Sequence, residues 1–381
     1  MSMKMIAAAT ALAISAASML CQESKPALAP TFVLHVPGPR ASAMSPDEKS
    51  LAVIAIQRPR GAAPSAELQV WDFRTGSVLR ARPLAAPELQ PRQAVPTMQL
   101  RYTSDGELLV VHCGGQTVQV LRSSDLEQLR DVHTGAVSAL EIAPSDHRMA
   151  VRGGGRVRIY DLDSGDPLWT WIVPADLKST ELLFRAHPQL DGPALAWRKD
   201  GNAVAISVAD AAPCMRGGGT IFTIELKSTS AAKSFRVPLL PGSVGFDSDD
   251  RLYVAGSTCG GYFAHWALDL PAYDPATGRE VGKIPADRVG VRGVFSISAN
   301  KQILVAYADR EKTTFLPGFE DTLETKDAQW RVWDLTSRKL LMSVPEKNAF
   351  RSNLMDVSGG GHFIYATRME EVDVYEVAGA K

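Results

Sequence analysis

An all-β fold is what this sequence predicts, and three observations carry the prediction. Short runs rich in β-branched and aromatic residues recur between turn residues along the chain. No segment keeps an apolar 3.6-residue period over three turns, so helix is expected to be nearly absent. The runs also recur as a unit of about fifty residues, the size of one sheet in a radially repeated β architecture. Seven such units fit within the 381 residues.

Each unit reads as an apolar strand, a tight polar turn, a second apolar strand, a variable loop, and a third strand ending in an aromatic and an acid. The tight turns are Ser45-Pro46-Asp47-Glu48, Thr103-Ser104-Asp105-Gly106, Pro144-Ser145-Asp146-His147, Arg198-Lys199-Asp200-Gly201, Asp247-Ser248-Asp249-Asp250, Ser298-Ala299-Asn300-Lys301 and Ser358-Gly359-Gly360-Gly361. Third strands end at Val70-Trp71-Asp72, Ile159-Tyr160-Asp161, Ala272-Tyr273-Asp274, Val332-Trp333-Asp334 and Val374-Tyr375-Glu376, with weaker forms at Gln119-Val120-Leu121 and Ile224-Glu225-Leu226. An aromatic there fills the wedge between neighbouring sheets, and the acid accepts hydrogen bonds from the turn that follows. That turn places Gly76, Gly165 and Gly278 where a three-residue hairpin needs a positive φ; Arg338 departs from the pattern.

The strand after the hairpin makes four per repeat, the content of a propeller blade. The seventh repeat lacks room for its fourth strand, because the sequence runs only from Val377 to Lys381. Residues Thr31 to Val36 form an orphan strand ahead of the first repeat. That strand is expected to lie with Leu34 beside Val374, complete the last blade and remove a free edge. The expected fold is therefore a seven-bladed β-propeller over 31–381, with blade 7 completed by 31–36.

The segment before the ring reads as an export signal over 1–20, followed by a tether over 21–30. Lys4 precedes an apolar run from Ile6 to Leu20 that is too short and Ala-rich for a membrane span. Ser15 and Ala17 offer small residues for cleavage after Ala17. Lipidation at Cys21 is the alternative, and it sets the only membrane attachment expected of the chain. A periplasmic or extracellular address follows from either route.

Charge excludes one class of partner. Forty-one Lys and Arg against 42 Asp and Glu leave a net charge of −1, with no global attraction for nucleic acid. Phosphate-cradling Gly-Lys-Ser loops, His-Glu-x-x-His helices and Gly-x-Ser-x-Gly elbows are absent from the sequence. The histidines, His35, His112, His133, His147, His187, His265 and His362, are scattered over different repeats and are expected to be structural. Asp161 to Asp166 looks at first like a calcium loop, but Ile172 stands where a bidentate Glu is required. No catalytic, cofactor or metal residue is therefore assigned.

Candidate binding residues come from the variable loops between second and third strands, since a rigid scaffold carries function on its loops. They are Arg58 and Arg60, Met215 and Arg216, and Phe315, Phe319 and Leu323 in the insertion from Glu311 to Ala328. Cys214 and Cys259 lie in such loops of consecutive repeats and are a candidate disulfide in an oxidising compartment, with free thiols the alternative. Cys113 is expected to be an inert buried thiol.

From Thr31 to Val377 the repeats resemble the bacterial WD-repeat and YVTN-type β-propellers. The resemblance implies a seven-bladed toroid that acts as a rigid platform for an unknown protein partner or small ligand. It also implies a second reading, because YVTN-type relatives include lactone-opening enzymes with acids and histidines over the channel. Asp161 through Gly165 to Trp169 resembles the Trp-docking repeat of quinone-dependent dehydrogenase propellers. This occurs once, and a periplasmic redox-enzyme subunit is the third reading.

Overall fold

The computed structural model describes residues 28–57, 65–85, 98–174, 177, 194–209, 218–226, 232–260, 263–266, 269–285, 290–314, 322–346 and 355–379. The described chain is all β, with no helix long and apolar enough to cross a membrane. After β1 (Phe32–His35), blade 1 holds β2 (Pro39–Met44), β3 (Leu51–Gln57), β4 (Ser65–Asp72) and β5 (Ser77–Leu84). Blade 2 holds β6 (Gln99–Tyr102), β7 (Leu108–His112), β8 (Thr117–Arg122) and β9 (Gln128–His133). Blade 3 holds β10 (Ala139–Ile142), β11 (Arg148–Gly153), β12 (Arg156–Asp161) and β13 (Pro167–Ile172). Blade 4 holds β14 (Leu195–Trp197), β15 (Ala203–Ala209), β16 (Gly219–Glu225) and β17 (Lys233–Val237).

Blade 5 holds β18 (Leu240–Phe246), β19 (Leu252–Gly260), a side strand β20 (Phe263–Trp266), β21 (Asp269–Tyr273) and β22 (Glu280–Pro285). Blade 6 holds β23 (Gly290–Ile297), β24 (Ile303–Thr314), β25 (Thr322–Asp334) and β26 (Lys339–Pro345). Blade 7 holds β27 (Met355–Val357), β28 (Phe363–Thr367) and β29 (Glu371–Glu376), and β1 is its outer strand. Phe32 pairs with Val374 and Leu34 with Val372. The expected closure is thus present, and its register differs from the expected one by two residues, with Leu34 opposite Val372 rather than Val374.

All seven predicted tight turns join first to second strands. Their polar residues hold the turns shut: Asp105 Oδ1 accepts the Thr103 hydroxyl at 2.6 Å and the Glu107 N–H at 3.0 Å. Six turns contain a residue at positive φ, namely Glu48, Gly106, Gly201, Asp250, Lys301 and Gly361. Blade 3 differs. There the ladder bond from Ala143 N–H to Arg148 O matches that from Ser45 N–H to Ser50 O, so Asp146 falls one place later than Asp47.

The acids ending third strands act as predicted. Asp72 Oδ1 accepts the N–H groups of Arg74 and Thr75, and Asp161 Oδ1 those of Asp163 and Ser164. In blades 1, 2, 3, 5 and 6 the ladder shifts register at the residue before this turn. The same five hairpins carry a positive φ, at Gly76, Leu126, Gly165, Gly278 and Arg338, so one left-handed residue and one bulge go together.

Seven clusters of buried apolar residues occupy the seven seams between blades. Tyr160, Tyr273, Trp333 and Tyr375 each fill the seam with the preceding blade, as the wedge argument requires. Leu34 and Val36 are buried in the seam between blades 7 and 1 with Leu51, Phe73 and Val372.

Two predicted loops are corrected. Thr258 to Gly260 continue β19, which pairs with β20, and the Glu311–Ala328 insertion is mostly the far half of the β24–β25 hairpin. The pairing runs from Arg310 opposite Lys326 to Thr314 opposite Thr322. Strand ladders need backbone hydrogen bonds but not apolar side chains, and these polar stretches gave no apolar run to mark them.

Candidate functional site

The antiparallel order puts every first-to-second turn and third-to-fourth hairpin on one face of the ring. Second-to-third connections and the links between blades fall on the other. Arg58, Arg60, Cys214, Met215, Arg216, Phe315 and Phe319 lie outside the described residues. The strand ends flanking them, Gln57 and Ser65, Ala209 and Gly219, Thr314 and Thr322, all open on this second face. Leu323 lies in β25 opposite Thr313, and Cys259 in β19 opposite Ala264. Pairing of Cys259 with Cys214 thus falls outside the described residues.

On that face the hairpin of blade 6 goes further than its sheet. β25 pairs with β26 only from Gln329 to Asp334, and β23 reaches no further along β24 than Asp309. Residues 310–314 and 322–326 therefore stand beyond the blade as a two-stranded arm, with Lys312 opposite Glu324.

Polar groups beneath this face tie blades together. Arg368 Nη1 donates to Glu346 Oε1 at 2.9 Å and its Nε to Asp373, while Trp330 Nε1 donates to Glu346 Oε2 at 3.1 Å. Glu346 and Asp373 are almost wholly buried, so this cluster fixes blade 7 against blade 6. Arg152 in β11 donates to Ser207 O at 2.6 Å and links blade 3 to blade 4. His112 is buried, with Nε2 3.5 Å from Gly115 O. Cys113 is a half-buried free thiol whose pKa burial pushes up to about 11, so it is not a thiolate at neutral pH.

The channel carries a set of charges that sequence reading did not find. The next-to-last residues of the seven inner strands are Ala43, Arg101, Glu141, Ala196, Gly245, Ser296 and Asp356. Arg101 Nη2 donates to Glu141 at 3.3 Å, and Nη1 lies 3.7 Å from Asp356 Oδ2. Blades 2 and 7 are not neighbours, so Arg101 meets Asp356 across the channel, past the small Ala43. Asp356 also accepts the Ser296 hydroxyl. Burial opposes the Arg101 charge, but Glu141 and Asp356 outweigh it and raise the guanidinium pKa. Lys301, from the turn of blade 6, is held below the ordinary lysine range by burial, with Glu141 opposing. Aligning the repeats on inner-strand ends would have shown this girdle.

The described histidines sit elsewhere. His35 and His133 are exposed on outer strands. His362 Nδ1 lies 2.7 Å from Glu48 Oε2, clasping blade 7 to blade 1. His147 bridges Asp105 of blade 2 and Asp163 of its own blade. His187 lies outside the described residues, and only the backbone of His265 is described.

No protein-family model matches the chain, and no curated protein matches its sequence. Among solved structures, a chain from the crystal structure of the mitotic checkpoint complex is similar, with a TM-score of 0.60 at 16% identity. The match covers 93% of this chain and 94% of that one. The likeness is one of fold. It supports a ring of seven four-stranded blades.

Proposed function

We propose that this chain is an exported, non-catalytic binding and assembly module that recruits a protein partner on the face carrying the second-to-third connections. The arm of blade 6 carries this reading. The projection's backbone pairing runs past that of the strands on either side of it, and an extension held on a rigid ring suits contact with a partner. Arg58, Arg216 and Phe319 belong to connections whose flanking strands end on the same face. The fold neighbour is itself part of a protein complex, which agrees with this class of role.

The lactonase reading is less well supported by the channel. Arg101 pairs both acidic side chains of the girdle, and among the described residues no histidine joins them to act as a base. Export rests on the sequence of residues 1–20.

The test compares the full chain with a variant lacking Pro317 to Leu323. Crosslinking in the producing cell and purification should recover a defined partner with the full chain and at least about tenfold less with the deletion, at unchanged melting temperature. Equal recovery would refute the placement. Turnover of a lactone or ester panel, abolished by altering Glu141 or Asp356, would replace the module reading with the enzyme reading. N-terminal sequencing of the protein from fractionated cells tests export, and an intact Met1 in the cytosolic fraction would remove that part.

A further inference from the structure

The turn face, opposite the arm, holds a second cluster at the seam of blades 2 and 3. Asp105 and Glu107 lie in the turn leading to β7, His147 in the turn leading to β11, and Asp163 in the hairpin after β12. One donor atom from each of Asp105, Glu107 and His147 falls within 4.8 Å of the others. His147 Nε2 is 2.6 Å from Asp105 Oδ2, and Nδ1 is 2.8 Å from Asp163 Oδ1. The cluster borders an open cavity of about 570 Å³, also lined by Arg122, Ser123 and Ser124.

We propose that Asp105, Glu107 and His147 form a binding site for a divalent first-row transition ion, with Asp163 orienting the imidazole from behind. Four features support it. First, one nitrogen and two carboxylate oxygens are a donor set such ions accept, and imidazole favours them over calcium or magnesium. Second, a ligating histidine commonly donates its far N–H to a carboxylate, the role Asp163 already plays. Third, Asp105 Oδ1 is engaged by Thr103 and the Glu107 N–H, which leaves Oδ2 facing His147 for a ligand.

The fourth is charge. Asp105, Glu107 and Asp163 surround one imidazole, while Arg122 is engaged by Asp125 at 2.9 Å and by Glu127. Glu107 has no hydrogen bond or ion pair to its carboxylate among the described residues. The other histidine clasp is built differently. Glu48 there accepts the Ser358 hydroxyl and the Gly360 N–H besides the His362 ring, a closed set with no surplus acid.

Binding has a definite proton balance. When His147 is an imidazolium it donates to both Asp163 and Asp105. An entering ion takes the Nε2 lone pair, and one proton leaves to solvent while Nδ1–H stays on Asp163. Bonds of about 2.1 Å set tetrahedral ligands about 3.4 Å apart. The 2.6 Å between His147 Nε2 and Asp105 Oδ2 is shorter than this, and the 4.8 Å limit on the Glu107 donor is longer, so binding would need small side-chain adjustments at all three. All three ligands line the cavity that Ser123 and Ser124 also border, which leaves space for water as a further ligand.

The full chain, stripped with chelator, is titrated calorimetrically with zinc chloride alone. Wild type should bind one more ion per chain than His147→Ala, and Asp163→Asn should weaken that site about 10–100-fold. His362→Ala, which alters the other clasp, should bind as wild type does. At about pH 6, buffers of different ionisation enthalpy should report release of about one proton. Equal stoichiometry and affinity for wild type and His147→Ala, or equal losses in His362→Ala, would overturn the site. Should His147→Ala fail to melt cooperatively, Asp163→Asn and Glu107→Gln decide, and unchanged affinity in both is the refuting result.

Discussion

Truncating Leu34 to alanine tests ring closure directly. Leu34 is 1% exposed and packs among Leu51, Phe73 and Val372, in a seam built from the two ends of the described chain. Removing an enclosed leucine leaves a cavity costing about 3 kcal/mol, the middle of the range for such substitutions. Unfolding entropy of about 2.1 cal/mol/K per residue, over the roughly 280 described residues, converts this to a drop of about 5 °C in melting temperature. Val33, the adjacent residue of β1, is 39% exposed and supplies the control. Val33→Ala should cost less than about 0.5 kcal/mol. Calorimetry and urea midpoints on the two variants measure the difference. Leu34→Ala melting within about 1 °C of Val33→Ala would show that β1 adds little to closure.

Two further outcomes follow from the charged groups. Arg101→Met should destabilise by about 2 kcal/mol, part of the cost of stripping a fully buried pair because the side chain is 30% exposed. Adding Asp356→Asn should return part of that loss, and strict additivity in urea midpoints would refute the girdle as a coupled unit. Burial alone would lower the His147 pKa, but hydrogen bonds to Asp163 and Asp105 raise it above the ordinary histidine value. Its contribution is therefore complete below about pH 6.5 and is lost as pH rises through the folded value. Without added metal, melting temperature should fall between about pH 6 and 8 in wild type and less in His147→Gln; parallel profiles would refute this.

What was legible in the sequence is what single repeats encode. Asp72, Asp161 and their glycine turns set local backbone angles, so their roles hold in any one blade. Closure was legible because one repeat lacked a strand and Thr31 to Val36 had no partner. The arm was not, since residues 310–314 and 322–326 form ladder without an apolar period. Nor was the girdle: Arg101, Glu141 and Asp356 stand about 40 and 200 residues apart, and their relation exists only once seven blades share an axis. His147 alone in its turn carries no sign of a site, because its partners lie on another blade and another hairpin. Arg58, Arg60, Met215, Arg216, Phe315 and Phe319 sit in connections with no repeated pattern to fix their conformation, and they lie outside the described residues.

The pairing of β1 with β29 also sets an order of events. Thr31 and Glu376, which hydrogen-bond each other, are 345 residues apart. During synthesis the first strand emerges long before its partner exists, so six blades can stack while the edge of the seventh waits. The seam of blades 7 and 1 must therefore be the last to form, and a nascent chain stalled before Glu371 would be an open crescent whose free first strand could be taken up by the β29 edge of another copy.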